Sequence, residues 1–190
     1  AELADVFREQ AVGLIHGGVD ILLIETSQDL LEVKAAIFGV QRAFAETQQH
    51  IPLQVQVTLD TSGRMLLGTE IGAALTMLEH LPVDVIGMNC STGPEHMRVP
   101  IQYLGEFSSR PVSCIPNAGL PLNVDGQAVY PLPPEEFARD LTQFVDQFSV
   151  NVVGGCCGTT PEHLKKLVET LHPERTLSER SESKWESKET

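Results

Sequence analysis

A short cassette occurs twice in this chain, as Cys90-Ser-Thr-Gly-Pro-Glu-His-Met97 and as Cys157-Gly-Thr-Thr-Pro-Glu-His-Leu164, each close behind an apolar run. The copies start 67 residues apart, a distance that fits two strand-plus-helix units of a parallel α/β fold. Two equivalent strand ends then each present a cysteine, and Cys156 adds a third sulfur at the second. The carboxyl ends of parallel strands are where such folds assemble their active sites.

The rest of the sequence follows the same rhythm. Runs rich in β-branched residues at Asp20–Glu25, Leu53–Leu59, Asp84–Asn89, Pro111–Asn117 and Asn151–Gly155 read as strands. Their near-continuous hydrophobicity predicts a parallel sheet covered on both faces. Helical spacing of apolar residues marks Asp29–Glu46, Thr69–His80, Pro94–Phe107, Pro134–Phe148 and Pro161–Leu171, with Glu2–His16 as a leading helix. Between Ala118 and Pro133, a turn at Asp125-Gly126 separates Leu122-Asn-Val124 from Ala128-Val-Tyr130, which predicts a small hairpin over the active face.

Such regularity suits either an open doubly wound sheet or a (β/α)₈ barrel. Glu25, Cys90 and the Cys156-Cys157 pair fall at the ends of the first, third and fifth strands. In a flat sheet, strands two apart are separated by about 9.6 Å, whereas thiolates sharing one tetrahedral zinc ion lie about 3.8 Å apart. Barrel curvature closes that gap more readily. A whole barrel needs about 250 residues, so five strands predict a partial barrel over residues 1–172. Residues 173–190, charged and poor in apolar side chains apart from Trp185, read as a disordered tail or linker.

Composition limits the partners. A formal net charge of −13 without a basic stripe argues against nucleic acid and anionic membranes. No apolar stretch approaches the length of a membrane span, and the first residues lack a basic-then-apolar signal pattern. The expected location is cytoplasmic, where four cysteines serve as ligands, nucleophiles or core fillers rather than as disulfides.

Thiolates suit zinc, and three protein ligands leave the fourth position open. Successive side chains of an extended strand point to opposite faces, so Cys156 and Cys157 share a metal only if the backbone turns between them. Gly154, Gly155 and Gly158 supply that freedom. The alternative is that three small thiols simply fill the mouth of the barrel. Cys114, in mid-strand, reads as core. His96 and His163 read as solvated residues of helix first turns, or else as a fourth ligand in a structural zinc module. Glu25 stands at the pocket rim as a substrate-binding or a capping carboxylate. Asn89 orients a ligand or Cys90, or satisfies the backbone at its strand end.

Three motifs in order, Gly87-Met-Asn-Cys-Ser-Thr-Gly-Pro94, Pro116-Asn-Ala-Gly-Leu-Pro121 and Gly154-Gly-Cys-Cys-Gly-Thr-Thr-Pro161, resemble the homocysteine S-methyltransferase domain. The likeness runs from about Gly17 to Leu171 and is greatest to the domain of cobalamin-dependent methionine synthases. The resemblance implies a (β/α)₈ barrel with zinc held by Cys90, Cys156 and Cys157. It implies homocysteine as substrate, with Glu25 on its amino group; Asn89, at the neighbouring strand end, stands as a second substrate-binding candidate on its position alone. Methylcobalamin is the implied methyl donor and methyltetrahydrofolate its source, both carried by cobalamin- and folate-binding domains outside this segment. Betaine and S-methylmethionine are the alternative donors within the family. About three strands that open the family barrel have no counterpart in the sequence, so a catalytically silent fragment is the rival reading.

Overall fold

The computed structural model describes residues 2–172; the 173–190 segment with Trp185 lies outside the described residues. In chain order the elements are α1 (Glu2–His16), β1 (Leu22–Ser27), α2 (Leu30–Thr47), β2 (Leu53–Val57), α3 (Ile71–Glu79), β3 (Val85–Asn89), α4 (Pro94–Phe107), β4 (Val112–Ile115), β5 (Leu122–Val124), β6 (Gln127–Val129), α5 (Pro134–Phe148), β7 (Val152–Val153) and α6 (Pro161–Leu171). Three helices begin on a proline, at Pro94, Pro134 and Pro161, where the missing N–H is no loss and φ is already helical. Asp29 caps α2 by accepting the Leu31 N–H at 2.6 Å. The α1 helix crosses α2 at Gly39, where a Cβ would stand 2.7 Å from the Ala4 carbonyl oxygen. The absence of a side chain therefore sets how closely the two helices pack.

The sheet order is β1-β2-β3-β4-β7, and every pairing is parallel. This is the partial α/β barrel expected from the strand rhythm. Leu53, Val55, Val57, Ile86 and Met88 are buried beneath the helices. The opposite, inner face is also buried but polar: Gln54, Gln56, Asn89 and Ser113 are closed to solvent. Gln56, Gly87 and Ser113 stand side by side on successive strands. Because Gly87 has no side chain, the Gln56 Nε2 group reaches across it and donates to Ser113 Oγ at 2.8 Å.

Burial on both faces holds for the central strands and fails at the outer ones. In β1 only the end residues Leu22 and Ser27 are buried, and Val152 of β7 is partly open. A cleft of about 300 Å³ runs beside β1 and includes Phe7, Leu14, Leu23 and Glu25. Another of about 510 Å³ lies beside β7, lined by Val150, Val152, Leu167 and Leu171. Strand ends also differ from the sequence reading. β1 starts two residues late because its ladder begins where the Leu22 N–H meets the Pro52 carbonyl. β7 shrinks to two residues because its pairing thins after Val153: only the Gly154 N–H, 3.3 Å from the Cys114 carbonyl, and the Cys156 N–H, 2.8 Å from the Pro116 carbonyl, continue along β4 before the turn at Cys157-Gly158. The hairpin forms as β5 and β6, paired antiparallel. Among the described residues no helix is long and apolar enough to cross a membrane.

Candidate metal centre

Cys90 follows the last residue of β3, and the chain bends sharply there. Cys90 and Ser91 both adopt left-handed backbone, with φ of 62° and 65°, a region that L-residues visit rarely. The Cys90 N–H donates to the Ile115 carbonyl at 3.1 Å, and the Thr92 N–H closes the turn on the Cys90 carbonyl at 2.8 Å. The turn throws the Cys90 side chain toward the end of β7, which lies two strands away in the sheet.

Cys156 and Cys157 are placed by a second set of backbone bonds. The Cys156 N–H donates to the Pro116 carbonyl at 2.8 Å, and the Cys157 carbonyl accepts the Ala118 N–H at 2.9 Å. The Cys157 N–H donates to Asn117 Oδ1 at 3.1 Å, and Thr159 Oγ1 donates to the Cys156 carbonyl at 2.6 Å. Gly158, with φ of 75°, completes the reversal. A Cβ there would fall 2.1 Å from Tyr130 Cγ, so the tyrosine ring lies directly against the glycine. The backbone thus turns within the glycine-flanked pair, as a shared ligand site requires.

The result is a compact triangle of sulfurs. Cys90 Sγ and Cys156 Sγ each lie 3.8 Å from Cys157 Sγ, and all three fall within 4.8 Å of one another. Sulfurs on a tetrahedron with metal–sulfur bonds near 2.3 Å are separated by about 3.8 Å. The donor set therefore fits one thiophilic dication with three of four positions filled. Burial pushes the Cys156 thiol up to about 12, and the neighbouring Cys90 sulfur adds to the shift. The Tyr130 phenol is also raised, first by burial and then by its hydrogen bond to Cys157 and the charge of the cysteines. Cys114 stands apart in β4, fully buried, its thiol raised by burial and its Sγ against Met97 Sδ at 3.9 Å.

Asn89, the last residue of β3, links Glu25 of β1 to the cluster. Asn89 is fully buried. Its Nδ2 stands 3.3 Å from Glu25 Oε2 and 3.9 Å from Cys156 Sγ. The two histidines separate. His96 is exposed at the start of α4. His163 is not a solvated helix-start residue: it is 6% exposed and both ring nitrogens are engaged. Nδ1 accepts the Thr160 N–H at 3.2 Å to close a capping box, while Nε2 bonds the Leu132 carbonyl at 2.9 Å. The hairpin connection covers the second cassette and shields this histidine. Thr26, Asn117 and Tyr130 were not singled out from the sequence. Only Asn117 carried a signal, since it lies in the Pro116-Asn-Ala-Gly motif at the end of β4.

Three cysteine thiols thus converge at the strand ends of a parallel α/β barrel segment, a donor set with the spacing of one metal ion's ligands. The sequence model described as Homocysteine S-methyltransferase matches residues 1–171. The chain belongs to the homocysteine S-methyltransferase family. It is 47% identical over 182 residues to a methionine synthase of Mycobacterium tuberculosis (strain ATCC 25618 / H37Rv), covering 94% of this chain and 15% of that protein. To the methionine synthase of Mycobacterium leprae (strain TN) it is 49% identical over 163 residues, covering 86% of this chain and 14% of that protein. The chain thus spans about a seventh of the curated relatives it matches. The fold matches the apo form of the homocysteine methyltransferase MmuM from Escherichia coli with a TM-score of 0.66 at 22% identity, over 88% of this chain and 57% of that one. The metallated form of the same enzyme gives 0.65 at 21% identity, over 86% and 51%.

Proposed function

We propose that this chain is the homocysteine-binding part of a cobalamin-dependent methionine synthase, serving zinc-dependent methyl transfer to the homocysteine sulfur to give methionine. The observation that carries the reading is the sulfur triangle, whose 3.8 Å separations suit one tetrahedral ion with a free fourth position. Cys90, Cys156 and Cys157 would hold the zinc. When bound with an open position, zinc stabilises the thiolate form of an incoming thiol at neutral pH. Glu25, beside the same cluster, accepts hydrogen bonds from the homocysteine ammonium and so orients the amino acid with its sulfur toward the cysteines. Curated relatives named methionine synthase favour methylcobalamin over betaine or S-methylmethionine as donor, with the cobalamin and folate carried by other domains. Residues 1–172 then form the C-terminal part of the barrel, and a reducing, cytoplasmic compartment suits its free thiols. A structural zinc module with His96 or His163 as fourth ligand finds less support, because both nitrogens of His163 are already bonded and His96 is not among the residues grouped with the three sulfurs.

Two measurements test the reading. Metal analysis should find about one zinc per site, lost from Cys90→Ser, Cys156→Ser and Cys157→Ser and kept by Cys114→Ser. Retention by Cys157→Ser, or loss from Cys114→Ser alone, refutes the ligand set. Glu25→Gln should weaken homocysteine binding by about 2 kcal/mol through loss of a charge-assisted hydrogen bond, with zinc retained. Unchanged affinity refutes the amino-group role.

A further inference from the structure

Glu25 on β1 and Cys156 beyond β7 lie on strands far apart in the sheet, yet one side chain touches both. That side chain is Asn89, and its firmest bonds go to neither of them. Asn89 Oδ1 accepts the Thr26 N–H at 2.8 Å, and Asn89 Nδ2 donates to Thr26 Oγ1 at 2.8 Å. The amide grips Thr26 by backbone and side chain at once. It leaves one hydrogen facing Glu25 Oε2 and Cys156 Sγ.

Thr26 needs holding. Its φ is 58°, a conformation in which a β-branched residue is a genuine outlier. The cause is visible in the ladder: Ile24 pairs with Val55 and Ser27 with Val57, so β1 carries one residue more than β2 across the same span. The extra residue makes a bulge, a device that re-aims side chains beside functional sites. Asn89 is itself anchored. Its carbonyl accepts Thr58 Oγ1 at 2.8 Å, and its strand pairs with β4 at Ile115. A rigid central strand therefore imposes the unfavourable turn on the outer strand.

We infer that Asn89 is a positioning residue: by clamping Thr26 in its left-handed bulge it aims the Glu25 carboxylate at the sulfur cluster and sets the distance from amino-group acceptor to metal-binding thiols. The inference rests on the proposed role of Glu25. Homocysteine places a fixed number of bonds between its nitrogen and its sulfur, so that distance decides whether both ends bind together. A thiol without an amino group is indifferent to it.

The test is titration calorimetry on the complete natural protein loaded with zinc, using homocysteine and 4-mercaptobutanoate, the same molecule without its amino group. Asn89→Ala should raise the homocysteine Kd about tenfold or more, leaving zinc content and the 4-mercaptobutanoate Kd unchanged. Adding Thr26→Gly to Asn89→Ala should recover much of the loss, because glycine adopts positive φ unaided. Thr26→Val, at an exposed position, removes the hydroxyl arm but keeps the β-branch, and should weaken homocysteine in the same sense. Unchanged homocysteine affinity in Asn89→Ala or in Thr26→Val, equal weakening of both ligands, or no rescue by glycine each overturns the inference. Glu25→Gln, measured alongside, separates the failures. If it too binds homocysteine normally, the amino-group role falls and this inference with it; if it alone binds weakly, only the inference about Asn89 falls.

Discussion

Gly158 is the residue at which the cysteine pair and the hairpin connection press together, and replacing it by alanine should disturb both. Two costs can be read from the structure. The first is conformational: φ is 75°, and an L-residue held left-handed costs about 1–2 kcal/mol. The second is steric, since the new Cβ would lie 2.1 Å from Tyr130 Cγ and 2.3 Å from Tyr130 Cβ. Tyr130 has little room to retreat. It is followed by Pro131 and by Leu132, whose N–H donates to the Ala118 carbonyl at 3.0 Å. Overpacking of this kind costs about 1–3 kcal/mol, for a total of about 2–5 kcal/mol. In a domain of this size each kcal/mol lowers Tm by about 2–4 °C, so thermal unfolding followed by circular dichroism should show a fall of about 4–20 °C. Tyr130→Gly separates the two costs, because it removes both the Cγ and the Cβ that the new methyl would meet. In that background the clash is gone, and Gly158→Ala should cost only the conformational part. Equal effects in both backgrounds would refute the packing argument, and a fall below about 1 °C would refute both.

Gly87→Ala should be poorly tolerated for a related reason: its Cβ would meet Ser113 Oγ at 2.0 Å and the Ser113 carbonyl oxygen at 2.2 Å, and denaturant unfolding should register a loss of at least about 2 kcal/mol. Wild-type stability in that variant would mean that β3 and β4 do not pack as described. Among the described residues β1 and β7 each pair with a strand on one side only, which predicts that residues 1–190 purified alone self-associate; sedimentation velocity that finds a monomer at every concentration would refute it.

The sequence disclosed the elements best where a single residue dictates backbone. Pro94, Pro134 and Pro161 start their helices where the sequence placed them, because proline at the first helical position needs no partner to declare itself. Strand ends were less legible, since a strand exists only where its neighbour pairs with it. Glu25, Asn89, Cys90, Cys156 and Cys157 were all named from sequence, and the structure brings them to one place. Thr26 stayed hidden because threonine is among the last residues expected at positive φ; the bulge arises from pairing with β2, and the sequence around Thr26 has no glycine or asparagine to announce it. His163 was misread for a comparable reason. Its position three residues after Thr160 matched the spacing of a capping box, but the carbonyl that buries it belongs to Leu132, in a connection whose path only the tertiary fold reveals.

The weakest strand carries two of the three thiols. β7 offers a ladder of two residues, Val152 and Val153, paired on one side, yet Cys156 and Cys157 must meet Cys90 from the far end of a 67-residue interval. In polymer terms an ion held by the three thiols would be a cross-link. Tying those sulfurs together closes a loop whose entropy in the unfolded chain is worth about 4 kcal/mol on the disulfide scale, a sum comparable to everything β7 gains from its own hydrogen bonds. Metal loading and completion of the sheet edge should then occur as one event. A chelator would loosen this edge of the protein as it empties the site, so protection of the β7 amides against hydrogen exchange should report occupancy before any substrate is added.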